Sequence, residues 1–208
     1  MHSRSDRSSA PPRAAARGGG LRIIGGKWKR TTIAVADVTS LRPTPDRVRE
    51  TLFNWLSHYF GGALDGLSAL DLFAGSGALG FEAASRGAAR VVLVENNAAA
   101  VRRLEALRDK LAATCICVRA GDALQTAEEL ERRGERFDMI FLDPPFRAGW
   151  MQRALPAAAA LCASSGLVYA EAEAALDDAA LASVGLESFR ADKAGEVFYH
   201  LLRRENES

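Results

Sequence analysis

The chain is poor in residues that form crosslinks or bind metals, with three cysteines and three histidines among 208 residues. Cys115, Cys117 and Cys162 are an odd number and lack paired Cys-x-x-Cys spacing, so the sequence indicates neither a disulfide framework nor a zinc site. We therefore expect no metal and a reducing compartment, for which the cytoplasm is the default.

The chain also lacks a long apolar run and a large net charge, which is +1 overall. Residues 1–20 are rich in Arg, Ser, Ala, Pro and Gly, which predicts a disordered basic tail and excludes a secretory signal or a membrane span. An organellar transit peptide would have a similar composition. The roughly 190 residues of 21–208 suit a single domain.

Positive charge is concentrated near the N-terminus. Eight Lys or Arg residues stand against one acidic residue in 1–30, whereas the rest of the chain is net acidic. This asymmetry favours a polyanion partner that binds from one side, although a solvated tail would show the same bias.

A β-hairpin is predicted from residues 21–24 and 31–35, with Lys27, Lys29 and Arg30 in or beside its turn. Trp28 lies among these cations, and an aromatic ring among cations suits RNA. The same ring can equally pack against the domain.

A strand followed by two prolines is the most informative feature of the chain. The apolar run 137–142 predicts a buried parallel strand, and Asp143-Pro144-Pro145-Phe146 ends it, because proline cannot continue the hydrogen-bond ladder. The Asp143 carboxylate and a proline carbonyl are then two fixed acceptors, which can hold the two N–H donors of an exocyclic nucleobase amine. Phe146 could stack on the base. These four are the candidate catalytic residues, and a strand that simply ends in a proline turn is the alternative.

A glycine-rich turn follows the apolar segment 67–70. Asp71-Leu72-Phe73-Ala74-Gly75-Ser76-Gly77-Ala78-Leu79-Gly80 predicts a strand, a turn that approaches a ligand closely, and a helix. Glu95 ends the next strand, twenty positions after Gly75, where an acidic residue can bind ribose hydroxyls. Asp122 is suited to the adenine amine or, equally, to capping a helix. The candidate cofactor-binding residues are Asp71, Phe73, Ala74, Gly75, Gly77, Glu95, Asn96, Asp122 and Ala123.

The glycine motif alone matches a dinucleotide site as well as an S-adenosylmethionine site. The residues from Asp143 to Phe146 favour a methyltransferase, because a hydride-transfer enzyme has no use for two acceptors and an aromatic ring there.

The predicted elements alternate as in a doubly wound α/β sheet, with five βα units and then a strand pair. After the hairpin we predict a helix at 44–60 capped by Thr44, a strand at 67–70, a helix to about 86, a strand at 90–94, a helix at 98–112, a strand at 116–120, a helix at 124–133, a strand at 137–142, a helix at 150–162, a strand at 167–170, a helix near 176–183, and strands near 186–191 and 196–202.

Four stretches resemble the RsmD family of bacterial 16S rRNA guanine-N2 methyltransferases, and the likeness runs from about residue 21 to 204. They are Arg22-Ile23-Ile24-Gly25-Gly26-Lys27-Trp28, the segment 41–56 (LRPTPDRVRETLFNWL), Asp71 to Gly80 and Asp143 to Phe146. The length of the tail, Pro45 and Asn96-Asn97 depart from the expected pattern.

The resemblance implies a Rossmann-like, seven-stranded class I methyltransferase with S-adenosylmethionine as donor. It also implies N2 of one guanine of 16S rRNA, guanine 966, as the target in an assembling small ribosomal subunit. The 44–60 helix and the Arg42 turn would lie near the cleft, so Arg47 and Arg49 become candidates for contact or, equally, for ion pairing on the helix surface. We expect a monomer without membrane contact. The candidate RNA-binding residues are Arg22, Lys27, Trp28, Lys29, Arg30, Arg42 and Arg47.

Two other functions fit part of the sequence. A DNA adenine-N6 or protein glutamine-N5 methyltransferase would share the two central motifs, but the stretch from Arg22 to Leu56 argues against it. A catalytically idle RNA-binding assembly factor could keep the fold, but the intact glycine turn and the segment from Asp143 to Phe146 argue against loss of activity.

Overall fold

A computed structural model describes residues 21–34, 46–145 and 149–205. The predicted tail at 1–20, Arg42 and its turn, the Thr44 cap and Phe146 lie outside the described residues.

Nine strands lie in the described part of the chain, and seven of them form one sheet in the order β5-β4-β3-β6-β7-β9-β8. The strands from β3 to β7 pair in parallel, and β9 pairs antiparallel with both β7 and β8. The strands are β1 (Leu21–Arg22), β2 (Thr32–Ile33), β3 (Ser68–Asp71), β4 (Arg90–Glu95), β5 (Ile116–Ala120), β6 (Phe137–Leu142), β7 (Cys162–Ala172), β8 (Leu186–Ala194) and β9 (Val197–Arg204).

Helices cover both faces of the sheet, as a parallel sheet requires. The helices are α1 (Asp46–Tyr59), α2 (Ala78–Ser85), α3 (Ala98–Lys110), α4 (Ala123–Arg132), α5 (Trp150–Leu161) and α6 (Asp178–Ala182). The first apolar core joins the sheet to α1, α2, α3 and the β1–β2 hairpin, and the second joins it to α4, α5 and α6. One core thus lies on each face of the sheet, and the molecule has three layers in the order α/β/α.

Helix α1 packs its apolar side on the sheet, as the sequence predicts. Val48, Leu52 and Leu56 are buried, and the Phe53 ring lies 6.0 Å from the ring of Phe141 on β6. Arg49 departs from the expectation of a surface or cleft position, because its side chain is fully buried. Its Nη2 donates to the Arg22 carbonyl at 2.8 Å and to Asp46 Oδ1 at 2.7 Å. Arg49 therefore ties the start of α1 to β1.

The β1–β2 hairpin is anchored to the C-terminal half of α2. The buried Glu82 carboxylate accepts the backbone N–H groups of Ile24 at 2.6 Å and Gly25 at 2.8 Å. Ser85 accepts from Trp28 N at 2.9 Å through its hydroxyl, which donates to the Gly25 carbonyl at 2.6 Å. Polar groups that burial would otherwise leave unsatisfied are thus paired across the two elements.

Candidate active site

The carboxyl ends of four parallel strands bring the predicted site residues to one edge of the sheet. Asp71 ends β3, Glu95 ends β4, Asp122 follows β5 and Asp143 follows β6. Because β3 lies between β4 and β6, the glycine turn after β3 has Glu95 on one side and Asp143 on the other. This is the edge at which ligands bind in open α/β sheets.

The two glycines of the turn have different physical roles. Gly75 has a φ of +52°, and a Cβ there would meet only the Phe73 carbonyl oxygen at 3.9 Å, so the turn is open on that side. Gly77 has a φ of +80°, and a Cβ there would lie 2.6 Å from a methyl group of Leu104. Gly75 therefore leaves room for a ligand, whereas Gly77 is needed because α3 packs closely against the turn.

Glu95 holds the glycine turn in place. Its Oε2 accepts from Gly75 N at 2.8 Å, and its Oε1 accepts from Asn97 N at 2.7 Å. The side chain is partly exposed, and each carboxylate oxygen has a second lone pair that can accept a hydroxyl donor. Glu95 can therefore order the turn and bind a ribose together, and the ribose contact remains a prediction.

Asp71 supports the turn from inside the protein. Its side chain is buried, and its Oδ2 accepts from Gly80 N at 3.3 Å. Burial raises the pKa of Asp71 to about 7, and the Glu95 carboxylate adds to the rise, while hydrogen bonds from the Gly80 and Phe73 backbones oppose it. Asp71 thus positions the turn, and its direct contact with a cofactor remains a prediction.

The other predicted cofactor residues surround the same edge. Asp122 caps α4, since its Oδ1 accepts from Leu124 N at 2.9 Å and from Gln125 N at 3.0 Å. The capping alternative is therefore observed, and the adenine contact stays a prediction. Asn96 is exposed beside Glu95, and Ala74 and Ala123 are buried.

Trp150 is a residue at this edge that the sequence analysis does not single out. The ring of Phe73 packs edge-on against it, with 5.5 Å between the ring centroids. Trp150 begins α5, and the Arg153 guanidinium lies 5.0 Å from its ring centroid. No local motif identifies Trp150, because its partner is 77 positions earlier in the chain.

The catalytic candidates follow β6 as predicted. Asp143 is partly exposed, Pro144 is buried and Pro145 is exposed. The neighbouring strands β3 and β6 remain joined at this end, because Leu72 N donates to the Phe141 carbonyl at 3.2 Å. Asp143 is two residues beyond Phe141, so it lies at the same edge of the sheet as the start of the glycine turn.

The predicted RNA-binding residues that the structure describes lie in more than one element. Lys27, Lys29 and Arg30 are exposed together in the hairpin loop, whose Lys27 N donates to the Ser85 carbonyl at 2.7 Å. Ser85 is the last residue of α2, and the glycine turn precedes the first, so the eight-residue helix separates them by about 12 Å. The loop cations thus lie far from the glycine turn.

The other described candidates for RNA binding have different surroundings, and they are Trp28, Arg22 and Arg47. Trp28 is partly buried and packs against the first core, with Lys27 Nζ 5.6 Å from its ring centroid. Arg22 and Arg47 are exposed. Arg47 also contributes, after the Lys193 backbone and the Tyr199 hydroxyl, to lowering the pKa of Asp192 on β8. Packing is therefore observed for Trp28, and RNA contact remains a prediction for all of these residues.

The described residues contain no group of His, Cys, Asp and Glu side chains that could hold a metal ion. Their three cysteines are free thiols. No helix in the described ranges is long and apolar enough to cross a membrane.

Comparison with known proteins agrees with this architecture. Residues 21–203 match a family model described as conserved hypothetical protein 95. The chain is 38% identical over 193 residues to ribosomal RNA small subunit methyltransferase D of Escherichia coli K12, covering 90% of this chain and 91% of that protein. It is 36% identical over 163 residues to the Haemophilus influenzae protein of the same name, covering 74% and 80%. The solved putative methyltransferase yhhF of Escherichia coli superposes with a TM-score of 0.75 at 36% identity, covering 90% of this chain and 99% of that one.

The sheet order, the glycine turn and these likenesses define a Rossmann-like class I methyltransferase fold with an N-terminal β-hairpin. Within that class, the chain belongs to the RsmD family.

Proposed function

We propose that this protein transfers a methyl group from S-adenosylmethionine to the exocyclic N2 of a guanine in 16S rRNA. The observation that carries the proposal is the position of Asp143 and Pro144 after β6, directly beside the glycine turn after β3. The family resemblance favours guanine 966 of an assembling small ribosomal subunit as the target. S-adenosylhomocysteine would be the second product.

The cofactor would bind across the ends of β3, β4 and β5. The open side of Gly75 admits a ligand, Glu95 has acceptor capacity for ribose hydroxyls, and Asp122 Oδ2 lies at the adjacent strand end. When bound, S-adenosylmethionine supplies a methyl group on a positively charged sulfur, an electrophile that requires no metal for activation.

Asp143 and the Pro144 carbonyl would hold the guanine amine by its two N–H groups. Both acceptors are fixed because the prolines end the strand, so the amine is oriented before it reacts. Methylation makes the nitrogen acidic, and Asp143 can then accept its proton. Phe146 would stack on the base. Catalysis in this scheme comes mainly from positioning.

The hairpin cations, Trp28 and Arg47 would bind RNA at some distance from the reacting base. RNA is long enough to contact both ends of α2, and phosphate contacts do not need to surround the target. A guanine in a helix must first be flipped out, whereas one in a loop is easier to reach. We propose that the protein acts as a monomer in the cytoplasm, where this substrate is assembled.

The direct test is methyl transfer by purified protein. Small subunits and naked 16S rRNA from cells lacking the protein would be incubated with labelled S-adenosylmethionine, and the modified nucleoside identified by mass spectrometry. We expect N2-methylguanosine with the wild type and none with Asp143→Ala. Asp109→Ala changes an exposed carboxylate on α3 and serves as the matched control with normal activity. Methylated adenine, or cofactor binding without transfer to either RNA, would contradict the proposal.

A further inference from the structure

One side of α1 faces strands β9 and β8, at the end of the sheet opposite β5. Arg47, Trp55 and Tyr59 are eight and four positions apart, so they lie along one side of the helix. The Trp55 ring is 5.6 Å from the ring of Tyr199 on β9, and the Tyr59 ring is 5.4 Å from the ring of Phe189 on β8. We call the surface between these elements the α1–β8 seam, and its members are Arg47, Trp55, Tyr59, Phe189 and Arg190.

Arg190 supplies a positive charge at the centre of the seam. Its guanidinium lies 5.8 Å from the ring centroid of Trp55 and 5.5 Å from that of Phe189, and all three side chains are partly exposed. Arg203 also lies over Phe189, at 5.2 Å, but it is paired with Glu187 at 2.6 Å. Among the residues that the structure describes, Arg190 takes part in no ion pair. Its charge is therefore available to an external anion.

The observed strand pairing connects the seam to the active-site edge. One residue from each of β6, β7, β9 and β8 forms a row across the sheet, and the row is Leu142, Ala170, His200 and Ala191. Three strand spacings of about 4.8 Å make this row about 14 Å long. Asp143 follows the first residue of the row, and Arg190 precedes the last. A strand of RNA whose guanine is held at Asp143 can therefore extend to the seam.

We propose that the α1–β8 seam binds the single-stranded RNA that flanks the target guanine, with a base stacked on the exposed part of Trp55 or Phe189 and a phosphate bound by Arg190. The inference rests on the proposed function, which supplies the RNA substrate. Proteins that bind single strands combine cations for the backbone with aromatic rings on which bases stack. Arginine guanidinium planes also stack on unpaired RNA bases. The seam offers both kinds of group together.

The carboxylates around the seam favour RNA over a cationic partner, because they already have partners. Asp192 accepts from the Tyr199 hydroxyl at 2.8 Å and from Lys193 N at 2.7 Å. Arg47 and Lys193 are exposed cations on either side of it. An anion that reaches Arg190 thus meets positive charge beside aromatic rings, and single-stranded RNA carries both phosphates and planar bases.

The first test measures methylation of naked 16S rRNA, from cells lacking the protein, by Arg190→Ala. We expect KM for the RNA to rise roughly 10-fold, which is more than kcat falls, and the salt dependence of RNA binding to decrease by about one phosphate contact. Arg190→Lys keeps the charge but not the planar group, so it should restore the salt dependence and only part of KM. Lys110→Ala removes an exposed cation at the end of α3 and is the matched control with wild-type values.

The second test uses wild-type protein, so it holds even if Arg190→Ala does not fold. Ultraviolet crosslinking of the complex with naked 16S rRNA, followed by mass spectrometry, should attach a nucleotide to a peptide that contains Trp55 or Phe189. Crosslinks elsewhere but none at the seam, or unchanged KM and salt dependence in Arg190→Ala, would overturn the proposal.

Two further outcomes separate the possible failures. If Arg190→Ala methylates naked RNA normally but assembled small subunits poorly, the seam binds a protein, and the assignment to RNA is wrong. If wild-type protein crosslinks to RNA at the seam but methylates neither substrate, the seam assignment is supported and the proposed function is contradicted.

Discussion

Glu95 connects the ends of two loops with its two carboxylate oxygens, one bonded to Gly75 N and the other to Asn97 N. We predict that Glu95→Ala weakens S-adenosylmethionine binding by about 1 to 3 kcal/mol, because a charge-assisted contact and the order of the turn are lost. Turnover should survive saturation with cofactor. Calorimetric titration of this variant and of Asp109→Ala measures the difference, and equal affinities would remove Glu95 from the ribose site.

Asp71 makes the stability of the fold depend on pH. Its pKa is raised to about 7 in the folded protein from an ordinary value of 3.8, so the folded state favours the protonated form. The contribution of Asp71 to the free energy of unfolding is therefore complete below about pH 4 and is lost as the pH rises towards 7. Asp71→Asn cannot ionise but keeps an oxygen that accepts from Gly80 N. The free energy of unfolding of the wild type, relative to Asp71→Asn, should fall between pH 4 and 7 by up to about 4 kcal/mol.

Chemical denaturation of both proteins across this pH range provides the measurement. The comparison isolates Asp71, because the other titrating groups are common to the two proteins. If the difference in unfolding free energy between the two proteins stays constant from pH 4 to pH 7, the pKa of Asp71 is not raised in the folded protein.

Among the elements, the hairpin and α2 depend on a glycine at their contact. A Cβ on Gly26 would lie 1.8 Å from the Ser85 carbonyl oxygen, and its φ is +74°. Gly61 has a similar φ of +81° with no atom near its Cβ position. We predict that Gly26→Ala destabilises the protein by at least about 1 kcal/mol more than Gly61→Ala. Both substitutions place alanine at a positive φ, which strains the backbone, but only Gly26→Ala also pushes the hairpin away from α2.

Denaturant unfolding of the two variants tests this prediction. The hairpin docking also explains why Gly25 and Gly26 occur together, since a Cβ on Gly25 would lie 2.7 Å from the Arg86 guanidinium. Equal destabilisation by the two variants would mean that the loop can leave α2 without cost.

Elements with uninterrupted apolar runs can be identified from the local sequence pattern alone. The boundaries of β5 and β6 agree with the prediction to the residue. The prediction for β7 was too short, since 167–170 was expected and Cys162–Ala172 is observed. Residues 163–166 are Ala-Ser-Ser-Gly, which carries no strand pattern, and β7 continues beyond 170 because β9 pairs with it to Ala172. Such pairing depends on distant residues.

The site shows the same division between local and distant information. The glycine turn and Asp143 are recognisable from sequence because each combines an apolar run with residues that end it. Trp150 is not, because its partner Phe73 is far from it in the sequence and meets it only in the folded protein. The burial of Arg49 is equally unexpected, since it depends on the Arg22 carbonyl of the hairpin.

At the scale of the whole molecule, the exposed cations of the hairpin loop and the active-site edge lie at opposite ends of α2. We predict that replacing Lys27, Lys29 and Arg30 together with Ala weakens RNA binding and lowers its salt dependence by up to about three phosphate contacts. S-adenosylmethionine affinity should not change, because the loop is about 12 Å from the glycine turn.

The matched control replaces Arg132, Arg133 and Arg136, which are exposed cations at the end of α4 on the other face. It changes the net charge equally but should leave the salt dependence unaltered. Binding would be measured against salt concentration for both triple variants and wild type. If the hairpin triple variant retained the wild-type slope, the loop would have only a structural role.

The central claim is that this protein methylates guanine N2 in the RNA of the small ribosomal subunit. The most direct measurement is a map of N2-methylguanine in 16S rRNA from cells that lack the protein and are complemented with wild type or with Asp143→Ala. Losing the orienting acceptor should lower the methylation rate by about two powers of ten or more. The account predicts one guanine that is modified with wild type and unmodified, or nearly so, with an equal amount of the variant. Identical maps in the presence and absence of the protein, or full modification by Asp143→Ala, would contradict it.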